Sequence, residues 1–319
     1  MNNTQINPFF LIVGAPRSGT TLVNNMLSAH PQVFIFPQTQ FFNKIWGARN
    51  IYNFKKNRSK ILTIISRDTA VKKSGIDLFS GENASKNTFE DYFQEYLDLI
   101  NDYNFEHKQY IGDKTPRHMM LLKKIKTNLP GHLKIVAVVR DSRAVIASMK
   151  ARNLIKNVAS GSAIWNAYAR EATRLSSYLG RDDFVLLRYE DIIDNPESSA
   201  KEIAAGLNIP YRSEMININD NNSSFIRHNR SGIFNDSLTT WKTKLTTREI
   251  NDVNCLTGYY LEHFGYQMDK ADKKAPSPGV RAAYFLSKTE DIFIMFLIKA
   301  GLFPSALSGS FLKAYFGRP

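Results

Sequence analysis

The chain has 319 residues, 43% of them apolar, with 21 Phe, 14 Tyr and 22% charged residues; this near-average globular composition excludes a disordered, collagenous or coiled-coil protein and suits one large α/β domain or two modest ones. Lys and Arg number 42 against 29 Asp and Glu, a net charge of +13, so the partners to consider are polyanions: nucleic acid, an acidic membrane or a phosphorylated ligand. The single cysteine, Cys255, excludes an intramolecular disulfide and a cysteine-rich zinc site and suits a reducing compartment.

Met1 to Asn7 carries no basic residue, and the apolar run after it ends in Gly14-Ala15-Pro16-Arg17 rather than a cleavable small-residue site. No signal peptide is read, and a cytoplasmic location is expected. Phe9 to Val13 has the continuity of a strand buried on both faces. A glycine-bearing loop follows, then a helical pattern from Thr21 to His30 closed by Pro31, then a strand over Val33 to Phe36. From Asn43 to Gly112 the periodicity predicts helices and surface loops.

Thr115-Pro116 reads as an N-cap and first helical position, opening a helix through Met119, Leu122 and Ile125. Lys134 to Val139 is the second buried strand and runs into a helix carrying Ala144, Val145 and Ser148. Trp165 to Leu179 predicts another helix, Phe184 to Leu187 a strand, and Ile192 to Leu207 a loop and helix. Strands alternating with helices imply a three-layer α/β/α domain with a mainly parallel sheet, P-loop NTPase-like, over residues 1–269. A basic linker and an apolar helical extension occupy 270–319, suited to packing, to a homodimer contact or to a membrane surface. No run reaches the roughly 18 apolar residues of a membrane span.

Gly14-Ala15-Pro16-Arg17-Ser18-Gly19-Thr20-Thr21 has the two glycines of a phosphate-binding loop, set between a buried strand and a helix. Such a loop cradles an anion with main-chain N–H groups and the helix start, and Ser18, Thr20 and Thr21 add hydroxyls. Thr20 stands where the lysine of a triphosphate-binding loop belongs, which disfavours a standard ATPase or GTPase. Arg140 leaves the carboxyl end of the second buried strand, where α/β sheets place their ligands. Ser148 and Arg152, four apart, share a helical face and with Arg140 can surround a second phosphate, whereas Arg143 points elsewhere.

The loop through Leu22, followed by Ser28-Ala29-His30-Pro31, resembles the 5′-phosphosulfate loop of sulfotransferases that use 3′-phosphoadenosine 5′-phosphosulfate (PAPS). Val139 to Ser148 resembles their 3′-phosphate motif, and Gly112 to His118 and Leu187-Arg188-Tyr189-Glu190-Asp191 are similar to two further segments. The resemblance covers Phe9 to Tyr266 and is closer to the bacterial and tyrosylprotein-type branch than to the cytosolic steroid and phenol branch. It implies that Arg17, Ser18, Gly19, Thr20 and Thr21 hold the 5′-phosphosulfate and Arg140, Ser148 and Arg152 the 3′-phosphate. By the same resemblance Tyr189 lies along the nucleotide, with core packing as its alternative. A late nucleotide-contacting segment corresponds to Ser224 to Lys242, including Trp241.

Sulfuryl transfer needs cations near the departing phosphate oxygen and no metal. Arg17 and Lys114 are the candidates, Lys114 through the resemblance. Where related members carry a glutamate base, this chain has Gln38, an amide that can position an acceptor and cannot take its proton. His118, with an ordinary pKa of about 6.5, is the expected base, and Asp113 the next. The expected activity is transfer from PAPS to a hydroxyl of a sugar, lipid or small-molecule metabolite, with a nucleotide kinase or NTPase bearing a degenerate P-loop as the alternative. Nucleic acid is not an expected partner, since no recognised nucleic-acid motif accompanies the charge. Phe41, Phe42, Trp46, Tyr92, Tyr96 and the helix with Trp165 are candidates for an acceptor pocket, core packing being their alternative.

Overall fold

The apolar run Phe9–Gly14 forms strand β1, buried along its whole length, and its side chains divide alternately between two cores. Phe9, Leu11 and Val13 enter one, Phe10 and Ile12 the other. A strand covered on both faces belongs at the centre of a helix-flanked parallel sheet. The computed structural model describes residues 9–36, 38, 42, 108–128, 133–180, 182–218, 236–268 and 275–299, with main chain alone at 124, 128, 236 and 289–299.

The other strands are β2 (Val33–Phe36), β3 (Tyr110–Lys114), β4 (Leu133–Val139) and β5 (Phe184–Arg188). They lie in the order β2-β3-β1-β4-β5 with every pairing parallel. The helices, in chain order, are α1 (Thr20–Ser28), α2 (Leu122–Asn128), α3 (Ser142–Lys150), α4 (Val158–Tyr178), α5 (Tyr189–Asp194) and α6 (Pro196–Leu207). They continue with α7 (Asp236–Thr239), α8 (Trp241–Lys244), α9 (Thr247–His263) and α10 (Pro278–Lys299). Leu22 and Met26 of α1, Ile192 of α5 and Ile203 of α6 pack on Phe10, Ile12 and Val136. On the opposite face Ile125 of α2, Trp165 and Ala172 of α4 and Leu261 of α9 pack on Leu11, Ile135 and Ala137. The three-layer α/β/α architecture with a parallel sheet is therefore present.

Strand β3 is the strand that periodicity did not predict. Its sequence, Tyr-Ile-Gly-Asp-Lys, is polar at its end and half-buried over much of its length, yet it sits between β2 and β1. Gly112 makes the fit: the Phe10 ring of the neighbouring strand occupies the space where a Cβ would stand. The helix expected after Thr115 begins instead as a 3₁₀ segment, Pro116–Leu121, with no side-chain cap from Thr115, before α2 takes over. Helix α4 starts earlier than its apolar pattern, at Val158, because Asn157 and Ser160 form a capping box.

Lys134, inside the most apolar strand, is buried with Nζ donating to the carbonyls of Asp182 and Gly206 at 2.6 and 3.1 Å. Helix α10 packs along α4, with Asn166 Nδ2 donating to the Tyr284 hydroxyl at 2.8 Å, while Phe285 and Leu286 are exposed. Among the described residues no helix is long and apolar enough to cross a membrane. Phe41, Trp46, Tyr92 and Tyr96, the linker at 270–274 and the tail after residue 299 lie outside the described residues.

Gly112→Ala forces its new methyl group into the Phe10 ring, and overpacking of this kind costs about 1–3 kcal/mol. Urea unfolding of the variant is expected to show a lowered midpoint with an unchanged slope.

Candidate active site

The carboxyl ends of β1 and β4 lie side by side, Gly14 opposite Val138. Gly14 is needed there because a Cβ would come within 2.5 Å of the Val138 carbonyl oxygen. The loop that follows turns through two left-handed residues, Arg17 at φ 72° and Gly19 at φ 104°. For Arg17 that conformation is strained, of order 1 kcal/mol or more, and must be held by its surroundings. Ser18 closes the loop: its N–H and its hydroxyl both donate to the Ala15 carbonyl, at 3.1 and 2.7 Å. Its hydroxyl proton is therefore engaged inside the loop rather than presented as the expected donor. Thr20 is buried and Thr21 half-buried at the start of α1, whose first N–H groups have no intrahelical acceptor and suit an anion.

Arg17 is the hub of the site. Its Nε donates to Ser148 Oγ on α3 at 3.2 Å, and its carbonyl accepts from Arg140 Nη1 at 3.3 Å. Burial first, then the nearby Arg140 charge, lowers the Arg17 pKa. Burial and then Arg17 lower Arg152 to about 10. Lys114, at the carboxyl end of β3, is lowered by burial and by Arg17, against an opposing pull from Asp113. The fold thus brings Arg17, Lys114, Arg140 and Arg152 close enough for Arg17 to feel each, with Ser148 among them. Mutual repulsion of this kind is relieved by a bound polyanion.

The Arg140 guanidinium lies 4.2 Å from the centre of the Tyr189 ring, and its Nη2 donates to the Ser237 carbonyl at 2.6 Å. Tyr189 is buried, packs against Gly19 and bonds Ser237 Oγ through its hydroxyl at 2.7 Å. Its ring is thus core packing beneath the loop and the arginine. Arg143 turns away as expected: it pairs with Asp141, the α3 N-cap, at 2.7 Å, donates to the Gln267 carbonyl and stacks 4.5 Å from the Trp241 ring.

At the end of β3, Asp113 and His118 are fully buried, with His118 Nδ1 3.6 Å from Asp113 Oδ1. The imidazole lies edge-on to Phe42, its centroid 4.9 Å away, and neither ring nitrogen has a hydrogen-bond partner among the described residues. Burial lowers the His118 pKa to about 3. His118, the expected general base, is in this placement an enclosed ring with no exposed surface. Phe42 and Trp165 are likewise core side chains rather than pocket walls. Gln38 is half-buried, two residues beyond β2.

A sulfotransferase-family profile matches residues 8–213. The chain belongs to the sulfotransferase family. It is 25% identical to protein-tyrosine sulfotransferase 1 of Danio rerio over 215 residues, covering 66% of this chain and 55% of that protein. It is 22% identical to the nodulation protein NoeE of Sinorhizobium fredii over 287 residues, 80% of this chain and 65% of that one. The chain thus spans between half and two thirds of the length of these curated relatives. In fold it is similar to the sulfotransferase domain of the Synechococcus PCC 7002 olefin synthase, with a TM-score of 0.61 at 17% identity over 84% of this chain and 98% of that domain. The sulfotransferase domain of the curacin biosynthetic pathway gives a TM-score of 0.56 at 17% identity over 82% of this chain and 99% of that domain.

Within this sulfotransferase, sequence reading missed the groups that hold Arg140. Ser237 lies in the late segment Ser224 to Lys242, and it contributes a main-chain carbonyl that no side-chain pattern reveals. Trp165 and Glu190 also bond the Arg140–Asp141 peptide; their only sequence signal was, for Glu190, its place directly after Tyr189.

The buried, neutral His118 has a consequence for stability. Its pKa is about 3 in the folded chain and about 6.5 when unfolded, so only the unfolded state takes up its proton between those values. Stability is therefore lost as pH falls below about 6.5, by about 2 kcal/mol from this residue between pH ~7 and ~5. Urea unfolding at both pH values should show His118→Leu losing about that much less than the unmodified chain.

Proposed function

We propose that this sulfotransferase moves the sulfuryl group of PAPS to a hydroxyl acceptor by direct, metal-independent in-line transfer. The observation that carries the reading is the set of cations gathered around Arg17, joined by a phosphate-type loop to the Ser148 and Arg140 cluster. A nucleotide with anions at both its 5′ and 3′ positions matches that layout, the loop and the first turn of α1 taking the 5′ end and Arg140, Ser148 and Arg152 the 3′-phosphate. Thr20, buried where a triphosphate loop has its lysine, supplies no positive charge.

In the reaction the acceptor oxygen forms a bond to sulfur as the bond from sulfur to the bridging phosphate oxygen breaks. The acceptor's proton is released to solvent in the net reaction, and adenosine 3′,5′-bisphosphate departs with the electron pair of the broken sulfur–oxygen bond. Arg17 and Lys114 stabilise the negative charge that grows on the departing oxygen. Gln38 orients the acceptor through its amide. The acceptor is a hydroxyl, a class that includes the tyrosine phenol named in curated relatives as well as hydroxyls of sugars, lipids and small metabolites.

Calorimetric titration tests the reading. Adenosine 3′,5′-bisphosphate is expected to bind without magnesium, and Arg140→Ala to weaken it about tenfold or more, since a charge-assisted hydrogen bond contributes about 1.5–3 kcal/mol. Magnesium-dependent binding of ATP in preference to the bisphosphate would overturn it in favour of a kinase or NTPase.

A further inference from the structure

One peptide unit carries Arg140, and both of its polar groups are held by side chains. Its carbonyl accepts from Trp165 Nε1–H at 3.0 Å; its N–H, that of Asp141, donates to Glu190 Oε1 at 3.1 Å. The unit lies where β4 has ended and α3 has not begun, so neither ladder nor helix satisfies it, and buried main-chain groups need such partners. Trp165 reaches it from α4 and Glu190 from α5, on opposite sides of the sheet. The second Glu190 oxygen accepts from the Tyr266 hydroxyl at 2.8 Å, and the Tyr266 ring lies 4.5 Å from the Arg188 guanidinium. Both carboxylate oxygens are thus engaged by other groups, and among the described residues the Arg140 guanidinium donates to neutral carbonyls.

The guanidinium is held as firmly as its backbone. Tyr189 supports its face, and the Arg17 and Ser237 carbonyls take one N–H from each terminal nitrogen. Its Nε, buried, has no hydrogen-bond partner among the described residues. A buried charged donor without a partner is costly, and an anionic oxygen relieves that cost.

We propose that Glu190 and Trp165 are positioning residues that fix Arg140 and so determine the preference for a nucleotide bearing a 3′-phosphate; this rests on the function proposed above. Rotation of the Arg140–Asp141 peptide turns the arginine away from the anion, and the two side-chain bonds oppose it. Loss of either bond removes about 1 kcal/mol of that restraint, equivalent to about fivefold in affinity. The effect falls on 3′-phosphate recognition and spares the 5′ site, whose donors come from β1 and α1.

The test is the ratio of affinities for adenosine 3′,5′-bisphosphate and adenosine 5′-phosphate, measured by calorimetry on the full chain. Glu190→Ala and Trp165→Phe are each expected to lower that ratio about fivefold through the bisphosphate, while Glu190→Gln, which keeps an acceptor oxygen, retains most of it. In an Arg140→Ala background neither change should alter the ratio further. Folded Glu190→Ala and Trp165→Phe proteins that keep the original ratio, or lose both nucleotides equally, overturn the inference. Should Glu190→Ala fail to fold, Trp165→Phe decides, because it removes one N–H and keeps an aromatic ring. An unmodified chain that shows no preference for the bisphosphate refutes the proposed function instead.

Discussion

Repulsion among like charges is the constraint from which the rest of this structure follows. Arg17, Lys114, Arg140 and Arg152 are drawn together at the carboxyl edge of a hydrophobic sheet, and three of the four have their pKa lowered by burial and by their neighbours. Left to themselves such groups swing apart into solvent, so the fold must hold them. Arg17 is held in a left-handed backbone conformation by a loop closed on itself through Ser18. Arg140 is held by an aromatic face and two carbonyls, and Lys114 by a strand wedged between two others.

That requirement explains the contrast between the two arginines of the β4–α3 junction. Arg143 is neutralised by Asp141 and stacked on Trp241, a closed arrangement that ties α3 to the segments behind it. Among the described residues the Arg140 guanidinium, three residues earlier, donates to neutral carbonyls. Neutral acceptors orient a guanidinium without cancelling its charge, whereas a carboxylate does both. The difference between the two arginines therefore lies in the charge state of the groups around them, since both are substantially packed.

Much of this was legible in the sequence. The loop between Phe9–Val13 and the first helix, the buried strand before Arg140 and the divergence of Arg143 all depend on local spacing, which periodicity records. Strand β3 was hidden because Gly112, Asp113 and Lys114 give no apolar signal; it exists because Phe10, far away in the chain, fills the space that Gly112 leaves. For His118, residue type and spacing suggested chemistry, while its enclosure against Phe42 and Asp113 is a tertiary fact that no local pattern records. Trp165 and Glu190 act on main-chain atoms, and no pattern of residue types announces a side chain that bonds a distant peptide.

The contact between Gly112 and Phe10 has a bearing on how sequences of this kind can drift. The two residues are register partners on adjacent parallel strands, and one ring occupies the volume that two ordinary side chains would share. A larger residue at 112 becomes acceptable only after the aromatic at 10 has shrunk, and a shrunken residue at 10 leaves a void until 112 has grown. Each path between the two solutions crosses a less stable intermediate, so the pair should change together or not at all. The strand that carries Lys114 is thus coupled through its packing to the strand that leads into the Gly14–Thr21 loop.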